Sequence, residues 1–260
     1  ILGMQAARGA ITLADTAARA ERAARLIAVN GATAIRTHAD VTTDTGLASV
    51  QALVALREAL SDIVHVEVVA LSGWPSLGPG GADQRALLRE AIAMGVDAVG
   101  GCPHLEDEPA AANDLFLSIA AEHGLPIDLH TDETLDPRRF ALEDLADRVA
   151  ATGFPHRVAA SHCVSLGMQS PKAQQRVAEK VAAAGISVIA LPSSNLYLQG
   201  RDHPEATPRA LTAIRPLRAA GVNLAAGWDN LQDPFNPVGR GDCLETAALM
   251  VMAGHLLPVE

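Results

Sequence analysis

Pro126-Ile127-Asp128-Leu129-His130-Thr131-Asp132-Glu133 is the stretch on which the reading of this chain turns. A short apolar run bounded by turn residues reads as a buried parallel strand. This one ends in an imidazole and two carboxylates. In parallel α/β folds that end of a strand is where ligands bind and chemistry happens. Strand alternation puts Asp128, His130 and Asp132 on one face. The strand is therefore expected to stop near Asp132, with Glu133 on the loop that bends over the mouth.

Working outward, six further runs of the same kind appear: Ala34–Val41, His65–Ser72, Ala98–Pro103, Arg157–Cys163, Ser187–Pro192 and Asn223–Trp228. Glycines precede five of the seven (Gly31, Gly95, Gly124, Gly185 and Gly221), as expected of left-handed helix C-caps. Between the runs lie helical patterns, such as Leu13–Asn30 and Asp83–Met94, with apolar residues at helical spacing. Strands alternating with helices at this period indicate βαβ units and a parallel sheet. The longest irregular stretches, Gly73–Ala82, His104–Ala111, Ser193–Thr207 and Asp229–Asp242, all follow strand ends. Seven strands are one short of a closed barrel. We therefore expect an α/β chain of the (β/α)8 TIM-barrel type, residues 1–260 forming one partial barrel domain that holds strands 2–8. An open doubly wound sheet is the competing architecture, but no GxGxxG follows a strand.

Composition narrows the partners. At 260 residues, 49% hydrophobic, the chain has ample core for one domain. A net charge of −10 without a basic cluster argues against nucleic acid and anionic membranes. No apolar run reaches the roughly 20 residues of a membrane span. Cys102, Cys163 and Cys243 are far apart and form no CxxC pair, which fits a reducing, cytoplasmic compartment. No leader peptide is visible, and the oligomeric state is left open, a homo-oligomer included.

The chemistry gathers at the strand ends: His38 with Asp40, Ser72, His104, His130 with Asp132 and Glu133, His162, and Asp229 with Asn230. Alone, His38 or His104 reads as a hydrogen-bonded core residue. His130, His162 and Asp229 together form a ligand-type set on three separate strands. Imidazole nitrogen and carboxylate oxygen are usual ligands of zinc and other divalent metals. A catalytic metal lowers the pKa of its bound water to about 7. Asp229 is placed both to bind such a metal and to take the water's proton, and Glu133 to pass that proton to a leaving group. Cys163, beside His162, reads as a small buried residue rather than a nucleophile. Gly78-Pro79-Gly80-Gly81 lacks the Lys-Ser/Thr of a phosphate loop. Trp74 and Trp228 fall at strand ends, where either an aromatic wall for a flat substrate or core packing would suit them.

Several of these motifs resemble the cytosine deaminase branch of the amidohydrolase superfamily. They are Asp128-Leu129-His130-Thr131-Asp132-Glu133, Ala160-Ser161-His162, Asn195-Leu196-Tyr197-Leu198-Gln199-Gly200-Arg201, and Gly227-Trp228-Asp229-Asn230 with Asp233-Pro234-Phe235. Ile35-Arg36-Thr37-His38-Ala39-Asp40-Val41 and Cys102-Pro103-His104-Leu105-Glu106 resemble the branch's second and fourth strands. The resemblance implies a (β/α)8 barrel, one divalent metal ion (zinc or iron), and deamination of a small amino-heterocycle by a metal-bound hydroxide. It implies His130 and Asp229 as metal ligands, Asp229 also as general base, Glu133 as the acid that protonates the ring nitrogen, and His162 as the group that steadies the hydroxide or substrate oxygen. Substrate contacts are expected from Ser72, Trp74, His104, Asn195 and Asn230.

There are departures. The branch's first-strand His-x-His ligand pair does not occur in this sequence, nor does its small β-sandwich. These 260 residues alone are therefore expected to bind metal poorly. Where the cytosine enzyme has Pro-Gln-Glu-Gly, this chain reads Leu71-Ser72-Gly73-Trp74-Pro75, losing a glutamine that reads an amide edge. The branch's Asp-Asp pair becomes Asp229-Asn230. Cytosine itself is thus disfavoured. A related amino-heterocycle, a triazine or N-alkylamine, or a cyclic amide is expected instead. A metal-dependent lyase or aldolase, and a metal-free binding barrel, are the readings from other classes.

Overall fold

The structure, a computed structural model, describes residues 11–257. Seven parallel strands run β1 (Ala34–Val41), β2 (His65–Ser72), β3 (Ala98–Gly101), β4 (Ile127–Thr131), β5 (Val158–His162), β6 (Ser187–Ala190) and β7 (Leu224–Ala226). They lie side by side in chain order, every neighbour parallel. The helices are α1 (Leu13–Val29), α2 (Ala48–Ala59), α3 (Ala82–Ala93), α4 (Pro109–His123), α5 (Leu142–Thr152), α6 (Val164–Gly167), α7 (Pro171–Ala183), α8 (Pro192–Leu198), α9 (Ile214–Ala219) and α10 (Cys243–Gly254). The result is a curled βα sheet of the TIM-barrel type. Among the described residues no strand pairs with the outer edge of β1 or of β7. No helix among them is long and apolar enough to cross a membrane.

Alternation fixes which face is which. Val66, Val68 and Ala70 of β2, Ile127 and Leu129 of β4, and Val158 and Ala160 of β5 join one core with Leu56, Leu88, Phe116, Leu145, Val177 and Leu217 of the helices. Burying each large side chain there contributes about 1.5–3 kcal/mol. The intervening residues, Glu67, Asp128, His130 and Ser161 among them, face the concave side. Gly101 lets Phe116 close on β3, since a Cβ there would stand 2.3 Å from the ring.

The five capping glycines all adopt positive φ, from 66° at Gly185 to 95° at Gly31. Four strands are shorter than expected at their ends. Ala98–Pro103 stops at Gly101 because Pro103 opens a 3-10 turn, and Ser187–Pro192 stops at Ala190 because Pro192 opens α8. Proline lacks the N–H a strand ladder needs and suits the first turn of a helix. Arg157–Cys163 and Asn223–Trp228 lose residues at both ends. The stretch Ser193–Thr207, expected to be irregular, therefore begins with a two-turn helix.

Candidate active site

His130 stands on the concave face at the end of β4, two residues beyond Asp128. Its carbonyl accepts a hydrogen bond from His104 Nδ1 at 2.9 Å. A carbonyl only accepts, so His104 carries its proton on Nδ1. Burial lowers the His104 pKa to about 4, and it stays neutral. The His130 ring meets that of His38 edge-on (centroids 4.8 Å, 85°) and that of His162 at a tilt (4.9 Å, 46°). Burial, with three imidazoles alongside, holds His130 well below its ordinary pKa. Neutral imidazole is the form that binds metal.

The chain then turns sharply. Asp132, His162, Cys163 and Asp229 all have positive φ (52°, 64°, 50° and 70°), so β4, β5 and β7 are each followed or ended by a left-handed residue. Such backbone is uncommon in residues with a Cβ and concentrates at functional sites. The turn separates the two adjacent carboxylates. Asp132, expected on the His130 face, instead accepts from Ala141 N (2.7 Å) and Leu142 N (2.9 Å) at the start of α5. Burial raises its pKa to about 7 against the pull of those two N–H groups. Glu133 turns to the mouth, with Oε1 3.5 Å from His162 Nδ1. Burial raises its pKa, the neighbouring Asp229 carboxylate adds to this, and His162 opposes it.

His130, His162 and Asp229 come together, one donor atom from each lying within 4.8 Å of the others. His162 is enclosed, and its Nδ1 is 3.1 Å from Asn195 Oδ1 on α8. His162 Nε2 and His130 Nδ1 are both buried without a hydrogen-bond partner. Leaving such a nitrogen unmatched costs about 1–3 kcal/mol, so each calls for a partner outside the protein's own groups. Two imidazoles and a carboxylate with unmet nitrogens fit a divalent cation.

The remaining expected contacts are distributed unevenly. Asn195 is fully buried and keeps an unpaired Nδ2. His104 lies beneath His130 and supports it through the backbone. Trp74 is 60% exposed at the rim. Asn230 is taken up by its own loop, with Nδ2 2.6 Å from Asp233 Oδ2. Ser72 departs from the expectation of a mouth residue: it shares the helix-facing side with Val66, Val68 and Ala70, and its hydroxyl takes Gln84 Nε2 of α3 at 3.2 Å. Trp228 donates Nε1 to Asp242 O at 3.0 Å. Cys163 is fully buried, and burial keeps its thiol protonated.

Sequence reasoning passed over Arg36 and Glu67. Arg36 forms ion pairs with Glu67 and with Asp128. Asp128 stays below the usual carboxylate range: burial would raise it, but the His38 and Arg36 contacts outweigh that. The available signal was parity, because all three are charges at concave-face positions of otherwise apolar strands.

A curled parallel sheet with imidazoles and a carboxylate converging at its strand ends defines a barrel of the enzyme type. The model of the amidohydrolase family matches residues 3–260, and the chain belongs to that family. The pterin deaminase of Rhizobium rhizogenes is 36% identical over 247 residues, 94% of this chain and 55% of that protein. The N-isopropylammelide isopropyl amidohydrolase of Pseudomonas sp. strain ADP is 26% identical, over 87% of this chain and 53% of its own. A crystal structure of 5-methylcytosine deaminase from Klebsiella pneumoniae liganded with 5-fluorocytosine superposes with a TM-score of 0.89 at 32% identity, covering 96% of this chain and 60% of that one. The chain thus spans about half the length of the curated relatives it matches.

Proposed function

We propose that this chain carries the catalytic half-site of a hydrolytic deaminase acting on an amino-substituted heterocycle, of the pyrimidine, triazine or pterin kind. The observation that carries this is the meeting of His130, His162 and Asp229 beside Glu133 at the strand C-termini. Relatives whose names describe removal of amino or alkylamino groups support it.

His130 and Asp229 would hold one divalent cation, zinc or iron, together with ligands from the rest of the full-length protein. When bound, the cation lowers the pKa of a coordinated water. Asp229 takes the proton from the attacking water as its oxygen adds to the sp2 carbon bearing the amine. Glu133, with its raised pKa, gives its proton to the adjacent ring nitrogen, receives the proton that Asp229 took and passes it to the departing amine, and recovers the hydroxyl proton as the carbonyl forms. His162, its Nδ1–H donated to Asn195 Oδ1, turns the lone pair of Nε2 toward the attacking water and orients it. The C–N bond breaks, ammonia or an alkylamine leaves, and the carbonyl remains. Asn195 Nδ2 and the exposed indole of Trp74 are the substrate contacts of this reading, with Asn230 Nδ2 held by Asp233 and His104 supporting His130 through its carbonyl. The free cysteines suit a cytoplasmic setting.

The test is ammonia or amine release by the zinc- or iron-loaded full-length protein across pyrimidines, triazines, purines and pterins. We expect turnover in at least one class and loss of it on chelation. No amine release in any class, or proton exchange at a substrate carbon instead, would point to the lyase chemistry and overturn the reading.

A further inference from the structure

A row of charged side chains crosses the concave face below the candidate site, and the chemistry above uses none of it. Arg36 of β1, Glu67 of β2 and Asp128 of β4 all sit at concave-face positions. Arg36 Nη2 lies 2.7 Å from Glu67 Oε2, and its Nη1 lies 2.9 Å from Asp128 Oδ2. The Asp128 side chain is wholly buried. Its second oxygen, Oδ1, is 3.6 Å from His38 Nε2. That is beyond a hydrogen bond, and both atoms are enclosed without a partner. The His38 ring in turn stands edge-on to His130. His130 Nδ1 is the third enclosed atom here with no partner.

Stability gives little account of such a row. Barrel interiors are ordinarily filled by branched apolar side chains, and a buried ion pair has little or no net advantage over them. What a guanidinium does supply is direction: its plane is fixed by Nε and Nη2 on Glu67 Oε2, so Nη1 is presented to Asp128 from one side. Asp128 is also two residues from His130 on the same strand face, so its orientation is referenced to the same backbone.

We propose that Arg36 and Asp128 are positioning residues: Arg36 fixes the Asp128 carboxylate, Asp128 aims the His38 ring, and His38 sets the orientation of His130. A movement of under about 1 Å turns the His38–Asp128 contact into a hydrogen bond that locks the His38 ring. The edge-on contact then leaves His130 one orientation. This rests on His130 being a metal ligand.

The test uses the full-length protein with Zn2+ as probe, titrated against a competing chelator. Arg36→Lys keeps the charge and loses the fork. His38→Phe keeps the ring and loses the nitrogens. We expect both variants to keep the parental melting temperature when metal-free, yet to bind Zn2+ about tenfold or more weakly, as loss of a ligand's supporting partner does. The His130 ring resonances of the metal-free protein should shift in both, and kcat should fall with KM held. A role in charge balance alone predicts parental behaviour for Arg36→Lys. Parental Zn2+ affinity in both variants, with binding lost in His130→Ala, overturns this proposal and spares the metal-site reading. Parental binding by His130→Ala overturns that reading, and this inference with it.

Discussion

The candidate site has two unlike sides. His130 leaves a five-residue strand whose other residues are all buried; His104 bonds its carbonyl, the rings of His38 and His162 stand alongside, and Asp128, paired with Arg36, lies two residues before it on the same face. Asp229 follows a three-residue strand that is largely exposed, and is itself exposed on a left-handed backbone. Both present a ligand atom to one point. The β4 side is enclosed by this chain's own side chains, whereas β7 lies at the edge of the sheet among the described residues. Comparing the two separates what enclosure contributes from what the ligand atom alone contributes.

Removing either ligand should give the largest effect. His130→Ala and Asp229→Ala are each expected to lower kcat/KM by about 10³ or more, on the order of 4 kcal/mol of transition-state stabilisation. They should part on stability. Asp229→Ala, at an exposed position, should leave metal-free unfolding within about 0.5 kcal/mol. His130→Ala removes a ring packed between two others and should cost about 1–3 kcal/mol. Denaturant melts on the metal-free variants check this, and equal stability losses would erase the contrast. Glu133→Gln, which cannot carry the proton, should lower kcat by about 10²–10⁴ with binding little changed. Steady-state kinetics with separate kcat and KM decide it.

Much of this architecture is legible in the amino-acid sequence. The seven strands, the capping glycines and the set His130, His162, Asp229 follow from apolar runs, turn residues and residue type. Ser72 shows a legible point misread: its parity matches Val66, Val68 and Ala70, so alternation already assigned it to the helices. Asp132 shows an illegible one. Nothing local marks that residue for positive φ, because the preference comes from the N-terminus of α5, which waits for the carboxylate nine residues on. The Arg36–Asp128 pair belongs to the same kind. Its partners are 92 residues apart and on strands that are not neighbours, and only the curl of the sheet brings them together.

The enclosed side also carries a pH signature. His104 has a folded pKa near 4 against an ordinary 6.5, so between those values the unfolded chain binds the proton more readily. Its contribution to stability is complete above pH 6.5 and is lost as pH falls toward 4. The loss should reach about 2 kcal/mol by about pH 5. His104→Gln has no such titration, so the difference between parent and variant in urea melts at about pH 7 and about pH 5 isolates the effect. An unchanged difference would mean that His104 binds its proton equally well in the folded and unfolded chain, so that burial does not hold it neutral at about pH 5.

The smallest expected effect is the sharpest test of how the two sides are joined, since it sets neighbouring carboxylates against each other. Asp132 and Glu133 are consecutive, yet the left-handed turn sends one to the α5 N-terminus and the other to the mouth. Both Asp132 oxygens accept from backbone N–H groups. Asparagine offers one acceptor and turns its amide hydrogens toward a donor, which should cost about 1–2 kcal/mol through the lost cap. Asp132→Asn should therefore lower stability while leaving kcat within a few-fold, and Glu133→Gln should do the reverse. Paired melts and kinetics on the two variants read this directly. If Asp132→Asn slows turnover more than tenfold at parental stability, the carboxylate acts on the site rather than on α5, and the turn no longer separates structure from chemistry.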